Sequence, residues 1–208
     1  MVHADRQEAY SHLRDRYPFL VDLIAATGEV RLPEPNGDAV ACSLVRIVAG
    51  QMLSRTAAQT ILARMGAAAD RLGLATLYVL PEAELRACGL SGRKARTIGM
   101  IAEIMSTEPA RFERWRELPF PELRREVAGI WGLSDWSASV LAIFDFAHED
   151  VFPLSDGSII RAIRFIEEQK MRIGEKFHHE FASPYGSYLA LTLWAALDTG
   201  VLTALRSR

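Results

Sequence analysis

A chain of 208 residues, half of them apolar and 24% charged, is long enough to bury a core without disulfide or metal staples and too apolar to stay disordered. Its net charge of −2 argues against coating a polyanion by bulk charge, and its two cysteines, Cys42 and Cys88, cannot ligate an iron–sulfur cluster or an all-cysteine zinc site. No apolar run approaches the roughly 20 residues of a membrane-spanning helix. The charged N-terminal stretch from Met1 to Glu8 has no apolar signal core, so a cytoplasmic chain with buried thiols is expected.

Helical periodicity governs nearly every readable segment. Between Val40 and Leu53 only Ser43, Arg46 and Gln51 are polar, which predicts a helix buried almost all round; its β-branched content leaves a strand as the alternative. Ser54 then caps a helix with Ala57, Ala58, Ile61, Leu62 and Met65 on one face, expected to stop at Gly66. Ser91 caps a second, with Ala95, Ile98, Ile101, Ala102 and Met105 on one face. Both helices follow a Leu-Ser turn, an echo too short to be a repeat. A third follows Ser134, with Trp136, Val140, Ile143, Phe144 and Ala147 at helical spacing. Pro184 suits the first turn of another, running from Tyr185 to Leu197. Asn36-Gly37, after Pro33 and Pro35, reads as a loop, and His178-His179 as a solvated helix pair rather than a metal site. The fold class is all-α.

The stretch Gly129-Ile130-Trp131-Gly132-Leu133-Ser134-Asp135-Trp136 joins two helices through a tight turn. Glycine there lets the backbone approach a phosphate, and amides at the start of the following helix point outward as donors. The stretch resembles the helix-hairpin-helix motif, with Gly132-Leu133-Ser134 where Gly-hydrophobic-Gly is usual and a serine for the second glycine. Trp136 is followed 20 residues later by Asp156, in Val151-Phe152-Pro153-Leu154-Ser155-Asp156. That loop resembles the one carrying the essential aspartate in the helix-hairpin-helix DNA glycosylase superfamily. Leu44 to Ser54, Cys88 to Ala95, and Tyr185-Gly186-Ser187-Tyr188 with Trp194 are similar, in order, to three parts of its 3-methyladenine DNA glycosylase II branch: the helix and wedge loop, the mid-domain turn and the C-terminal helix. The resemblance covers about residues 38–200.

The resemblance implies two helical lobes: a barrel subdomain, 38–146, with the hairpin, and a second lobe from 1–37 plus 147–208 with the aspartate loop. It implies an enzyme of base excision repair that flips an alkylated purine such as 3-methyladenine out of duplex DNA and hydrolyses its N-glycosidic bond. Bifunctional members keep a Schiff-base lysine where this chain has Trp136, so a monofunctional enzyme without lyase activity is implied. Asp156 is the implied catalytic carboxylate, and chemistry agrees, because an oxocarbenium-like sugar needs a carboxylate beside C1′ or one that orients water. Asp145 and Asp150 are neighbouring alternatives, and helix capping is another use for Asp156.

Trp136 and Trp194 would face the flipped, cationic base, or else pack in the core. Met52 would be the wedge that fills the vacated stack and Gln51 would reach the opposing strand, or both would end a core helix. Gly132, Leu133, Ser134 and Trp136 would bind phosphates, and Arg93 and Lys94 would do the same or else form a solvated first turn. The carbonyls of Ala128, Ile130 and Leu133 stand at the offsets by which related hairpins hold Na+ or K+; no other cofactor is implied. Val140 stands where the branch has a tyrosine one turn beyond the tryptophan, a departure in the base pocket. The implied partner is damaged duplex DNA, bound by a monomer away from any membrane. Two other readings stay open: a glycosylase of deaminated or oxidised bases, and a non-catalytic helix-hairpin-helix DNA-binding protein.

Overall fold

The computed structural model describes residues 6–35, 37–171 and 175–204. Asn36 of the expected loop, and residues 1–5, 172–174 and 205–208 of the expected second lobe, lie outside the described residues. In chain order the α-helices are α1 (Arg6–Arg16), α2 (Leu20–Thr27), α3 (Val40–Gly50), α4 (Arg55–Leu72), α5 (Glu82–Ala87), α6 (Gly92–Thr107), α7 (Phe120–Ala128), α8 (Asp135–Phe144), α9 (Gly157–Lys170), α10 (Gly186–Asp198) and α11 (Val201–Ala204). Short 3-10 turns at Leu77–Val79, Glu113–Glu117 and His179–Ala182 complete the regular structure, with no strand among the described residues. The fold is all-α. It divides into two compact units, Pro35–Leu141 and a second drawn from Met1–Glu34 and Ala142–Arg208; the sequence-based boundaries stood at 38 and 147.

The unit Pro35–Leu141 is built on α3, which packs against α4 and α6. Val40, Ala41, Leu44, Val45, Val48 and Ala49 of α3 are all fully buried, only Cys42, Arg46 and Gly50 are partly exposed, and with the segment helical the strand alternative falls. α6 turns Ala95, Ile98 and Ile101 inward. Ser54 Oγ accepts from Ala57 N–H and Ser91 Oγ from Lys94 N–H, both at 3.3 Å, so both capped starts are present. The expected stop at Gly66 is absent: Ala67, Ala68 and Ala69 carry α4 six residues further, to Gly73 in the left-handed conformation at φ 67°.

In the second unit α10 is the buried helix, packed against α1, α2, α9 and α11. Every residue from Gly186 to Leu193 is buried, and the Tyr10 hydroxyl meets Thr192 Oγ1 at 3.1 Å. Pro184 lies before the helix rather than in its first turn, after a cis Ser183–Pro184 bond. Helix α8 ends at Phe144 instead of reaching Ala147, because Ala147 adopts φ 55° and His148 N–H turns back to the Ala142 carbonyl. His178-His179 is a 3-10 start rather than an α-helical pair; the His179 ring stacks on Phe152 at 5.3 Å. Cys88 is buried as expected but Cys42 is only half-buried, and burial pushes both thiols up from their ordinary value.

One position in the first unit tolerates no side chain. Gly132 has φ 88°, and a Cβ there would collide with the buried Thr97 side chain on α6. Gly132→Ala should therefore lower stability by about 2–4 kcal/mol, combining left-handed strain with overpacking, as read from the midpoint of chemical denaturation.

Candidate functional site

Two clusters hold the residues singled out from the sequence, one in each unit. The first is the turn between α7 and α8. Leu133 N–H donates to the Ile130 carbonyl at 3.0 Å, and Ser134 N–H donates to Ser137 Oγ at 3.3 Å. The Leu133 and Ser134 amides are thus engaged within the turn, which corrects the expectation that both face outward to a phosphate. Their bonds instead fix the path of the chain into α8, whose first helical bond runs from Ala138 N–H to the Ser134 carbonyl at 3.0 Å. Trp136 lies half-buried in the first turn of α8.

Gln51 and Lys94 are also bound within the protein. Gln51 Nε2 donates to the Gly132 carbonyl at 3.1 Å and to Ser137 Oγ at 3.3 Å, so its amide buttresses the hairpin. Lys94 Nζ donates to the carbonyls of Ala49 at 3.0 Å and Gln51 at 2.7 Å. These carbonyls end α3, where a cation also meets the negative end of the helix dipole. Lys94 is thus neither in a solvated turn nor free of partners, and partial burial lowers its amine from the ordinary value. Arg93, by contrast, is exposed, with its guanidinium 5.5 Å from the Trp131 ring centroid.

Between these two anchors lies Met52. Leu53 N–H donates to the Gly50 carbonyl at 3.1 Å, with Gln51 at φ −50°, ψ 130° and Met52 at φ 58°. This is a type II turn with methionine where glycine is usual. Its side chain is 100% exposed, so the core alternative is gone. An apolar side chain held outward on strained backbone is the kind of feature that marks a functional position.

The second cluster is the start of α9. Asp156 is half-buried and caps the helix: Oδ1 accepts from Ser158 N–H at 2.8 Å, from Ile159 N–H at 2.9 Å and from Trp194 Nε1–H at 3.1 Å. The capping alternative is therefore real, and it aims the carboxylate rather than replacing another use for it. The half-buried Trp194 tilts against Phe144 at 5.6 Å, and Phe144 is itself partly exposed. Asp150 is tied elsewhere, accepting from the Ser183 hydroxyl at 2.6 Å and Gly186 N–H at 3.1 Å at the start of α10; Asp145 is buried.

Sequence reasoning missed two members of these clusters. Ser137 is fully buried and joins the hairpin to Gln51, but in the sequence nothing sets it apart from Ser139 on the same helix. The Trp194–Asp156 bond spans 38 residues, beyond any local signal. Among the described residues no group of three or more His, Cys, Asp or Glu side chains could hold a metal, and no helix is long and apolar enough to cross a membrane.

No family model matches the chain. DNA-3-methyladenine glycosylase 1 of Schizosaccharomyces pombe is 30% identical over 161 residues, covering 73% of this chain and 69% of the relative. The 3-methyladenine DNA glycosylase of the same organism, solved in complex with abasic DNA, superposes with a TM-score of 0.76 at 25% identity, over 92% of this chain and 97% of its own. DNA-3-methyladenine glycosidase from Bacillus halodurans gives 0.73 at 25% identity, over 96% of each chain.

The Lys94 anchor can be tested on stability alone. Lys94→Met keeps the apolar stem and strands two carbonyls, so it should cost about 1–3 kcal/mol in chemical denaturation, with Lys94→Arg recovering part of the loss.

Proposed function

This chain belongs to the 3-methyladenine DNA glycosylases of the helix-hairpin-helix superfamily, and we propose that it hydrolyses the N-glycosidic bond of alkylated purines in duplex DNA without a lyase step. The observation that carries the chemistry is the carboxylate of Asp156, fixed by two backbone amides and the Trp194 indole N–H. As the C1′–N bond lengthens, positive charge gathers on the sugar, and a carboxylate held in one orientation stabilises it without reorganising. Water adds to C1′, the bonding pair leaves with the base, and the water proton passes to Asp156 or to solvent. A purine made cationic by alkylation departs as a neutral base, so modest assistance suffices.

Trp194 would offer a π face to the cationic base while also holding Asp156. Met52, outward on its turn, would occupy the stack that the flipped nucleotide leaves. The hairpin around Gly132 would carry the strand, and the carbonyls of Ala128, Ile130 and Leu133 are those that would hold a monovalent cation there; the Ile130 oxygen already accepts Leu133 N–H. The enzyme would act as a monomer in the cytoplasm, in keeping with two unpaired cysteines.

Asp156→Asn is the direct test, because asparagine caps a helix about as well as aspartate and the fold should survive. Base release from a duplex containing 3-methyladenine should fall at least about 10²-fold while duplex binding holds; a loss below about threefold would remove Asp156 from the chemistry. Deaminated and oxidised bases tested in the same series should be poor substrates, and preferential release of either class would move the specificity there.

The subclass has its own test. The product should be an intact abasic site that is cut only on alkali treatment, and borohydride should trap no protein–DNA adduct. The Lys94 amine, engaged by two carbonyls, is not positioned as a nucleophile, so a trapped adduct would overturn the monofunctional assignment.

A further inference from the structure

The α6 surface beside the hairpin carries a group that the chemistry above does not use. Arg93 and Arg96 stand three residues apart on α6, with guanidinium carbons 5.5 Å and 4.7 Å from the ring centroid of Trp131. Trp131 immediately precedes Gly132 in the turn, and 41% of it is exposed. In the same unit Arg46, Arg71, Arg111, Arg116 and Arg124 each face a carboxylate. Neither Arg93 nor Arg96 has an ion pair among the described residues; Arg64, Arg86, Arg114 and Arg125 of the unit share that, and what sets Arg93 and Arg96 apart is the one exposed indole beneath both guanidiniums.

We propose that Arg93, Arg96 and Trp131 form a binding site for the phosphodiester backbone of a DNA strand, with the exposed indole holding two guanidiniums ready for phosphate oxygens. The proposal rests on the DNA-glycosylase assignment. Stacking on a ring face leaves the planar N–H edge of a guanidinium open, and that edge is the one that grips phosphate through two parallel bonds. Two like charges one helical turn apart repel each other, a cost that an anion between them reverses. Side chains already ordered by the indole lose less entropy on binding than free arginines would.

The test is equilibrium binding of the full-length protein to an undamaged and an abasic-site duplex across a salt series, with base release measured on the same preparations. Arg96→Gln should weaken binding to both duplexes by the same factor, since phosphate contacts carry no base information. It should also flatten the slope of log K against log salt by about 0.9, with Arg93→Gln behaving alike. Trp131→Leu, which keeps both charges, should weaken binding about 3–10-fold with the slope unchanged. All three side chains lie at the surface, and circular dichroism confirms the fold of each variant.

Binding within about twofold of wild type and an unchanged slope for Arg96→Gln would overturn the site. So would a loss in Trp131→Leu confined to the abasic duplex with Arg96→Gln silent, because the indole would then be stacking on an unpaired base. Base release by wild type with silent variants removes this site alone. Absence of release by wild type removes the glycosylase assignment, while the undamaged duplex still decides the phosphate site.

Discussion

The contact on which the hairpin unit depends is the approach of the Gly132 backbone to Thr97, closer than any side chain would allow. It seats the turn between α7 and α8 against α6 and fixes where the Gly132 carbonyl points. Gln51 donates to that carbonyl and to Ser137, whose hydroxyl also receives Ser134 N–H. One missing Cβ therefore sets the geometry of three segments: the turn, the start of α8 and the end of α3. Lys94, from the first turn of α6, closes the arrangement at the Ala49 and Gln51 carbonyls. These bonds lie in partly buried surroundings, where an unmade partner costs more than a made bond contributes, so each member constrains the next.

The helices were legible because their signals are local. Ser54 and Ser91 cap what they precede, and the apolar face of α6 is written at helical spacing from Ala95 to Ile101. Failures came where two local rules compete. Gly66 looked like an end, but one glycine costs only about 1 kcal/mol and the alanines after it favour helix. Asp156 was legible through its loop and its capping position together. Its tie to Trp194 was not, because nothing near either residue records an approach made by tertiary packing of α10. The internal bonds of Gln51 and Lys94 were hidden for a related reason. Polar residues near a turn fit a ligand contact and an internal cap equally well in sequence, and only the carbonyls placed before them decide.

Charge shows the same division between bulk and local terms. A net charge of −2 leaves little long-range attraction for a polyanion. At short range several acidic residues are matched to arginines, as in Arg71–Glu84 at 2.6 Å and Arg46–Asp38 at 2.8 Å. Such exposed pairs add little stability, and each offsets charge only where it stands. Arg93 and Arg96 beside the hairpin stand over an indole instead of a carboxylate, so their charges are not offset in that way.

Met52 shows how rigidity and strain combine in the proposed wedge. A left-handed conformation at a residue other than glycine costs about 1–2 kcal/mol, and full exposure of its side chain forgoes burial besides. A free loop would relax out of such a state. This turn cannot, because the residue before Met52 is held twice, by its side-chain amide on the hairpin and by its carbonyl on Lys94. The strain is thus met during folding rather than during binding. An apolar side chain already projecting on a fixed turn loses little further freedom when it enters a base stack. Glycine at the same place would relieve the strain and remove the wedge with it, so the residue best suited to the turn is the one least suited to the task.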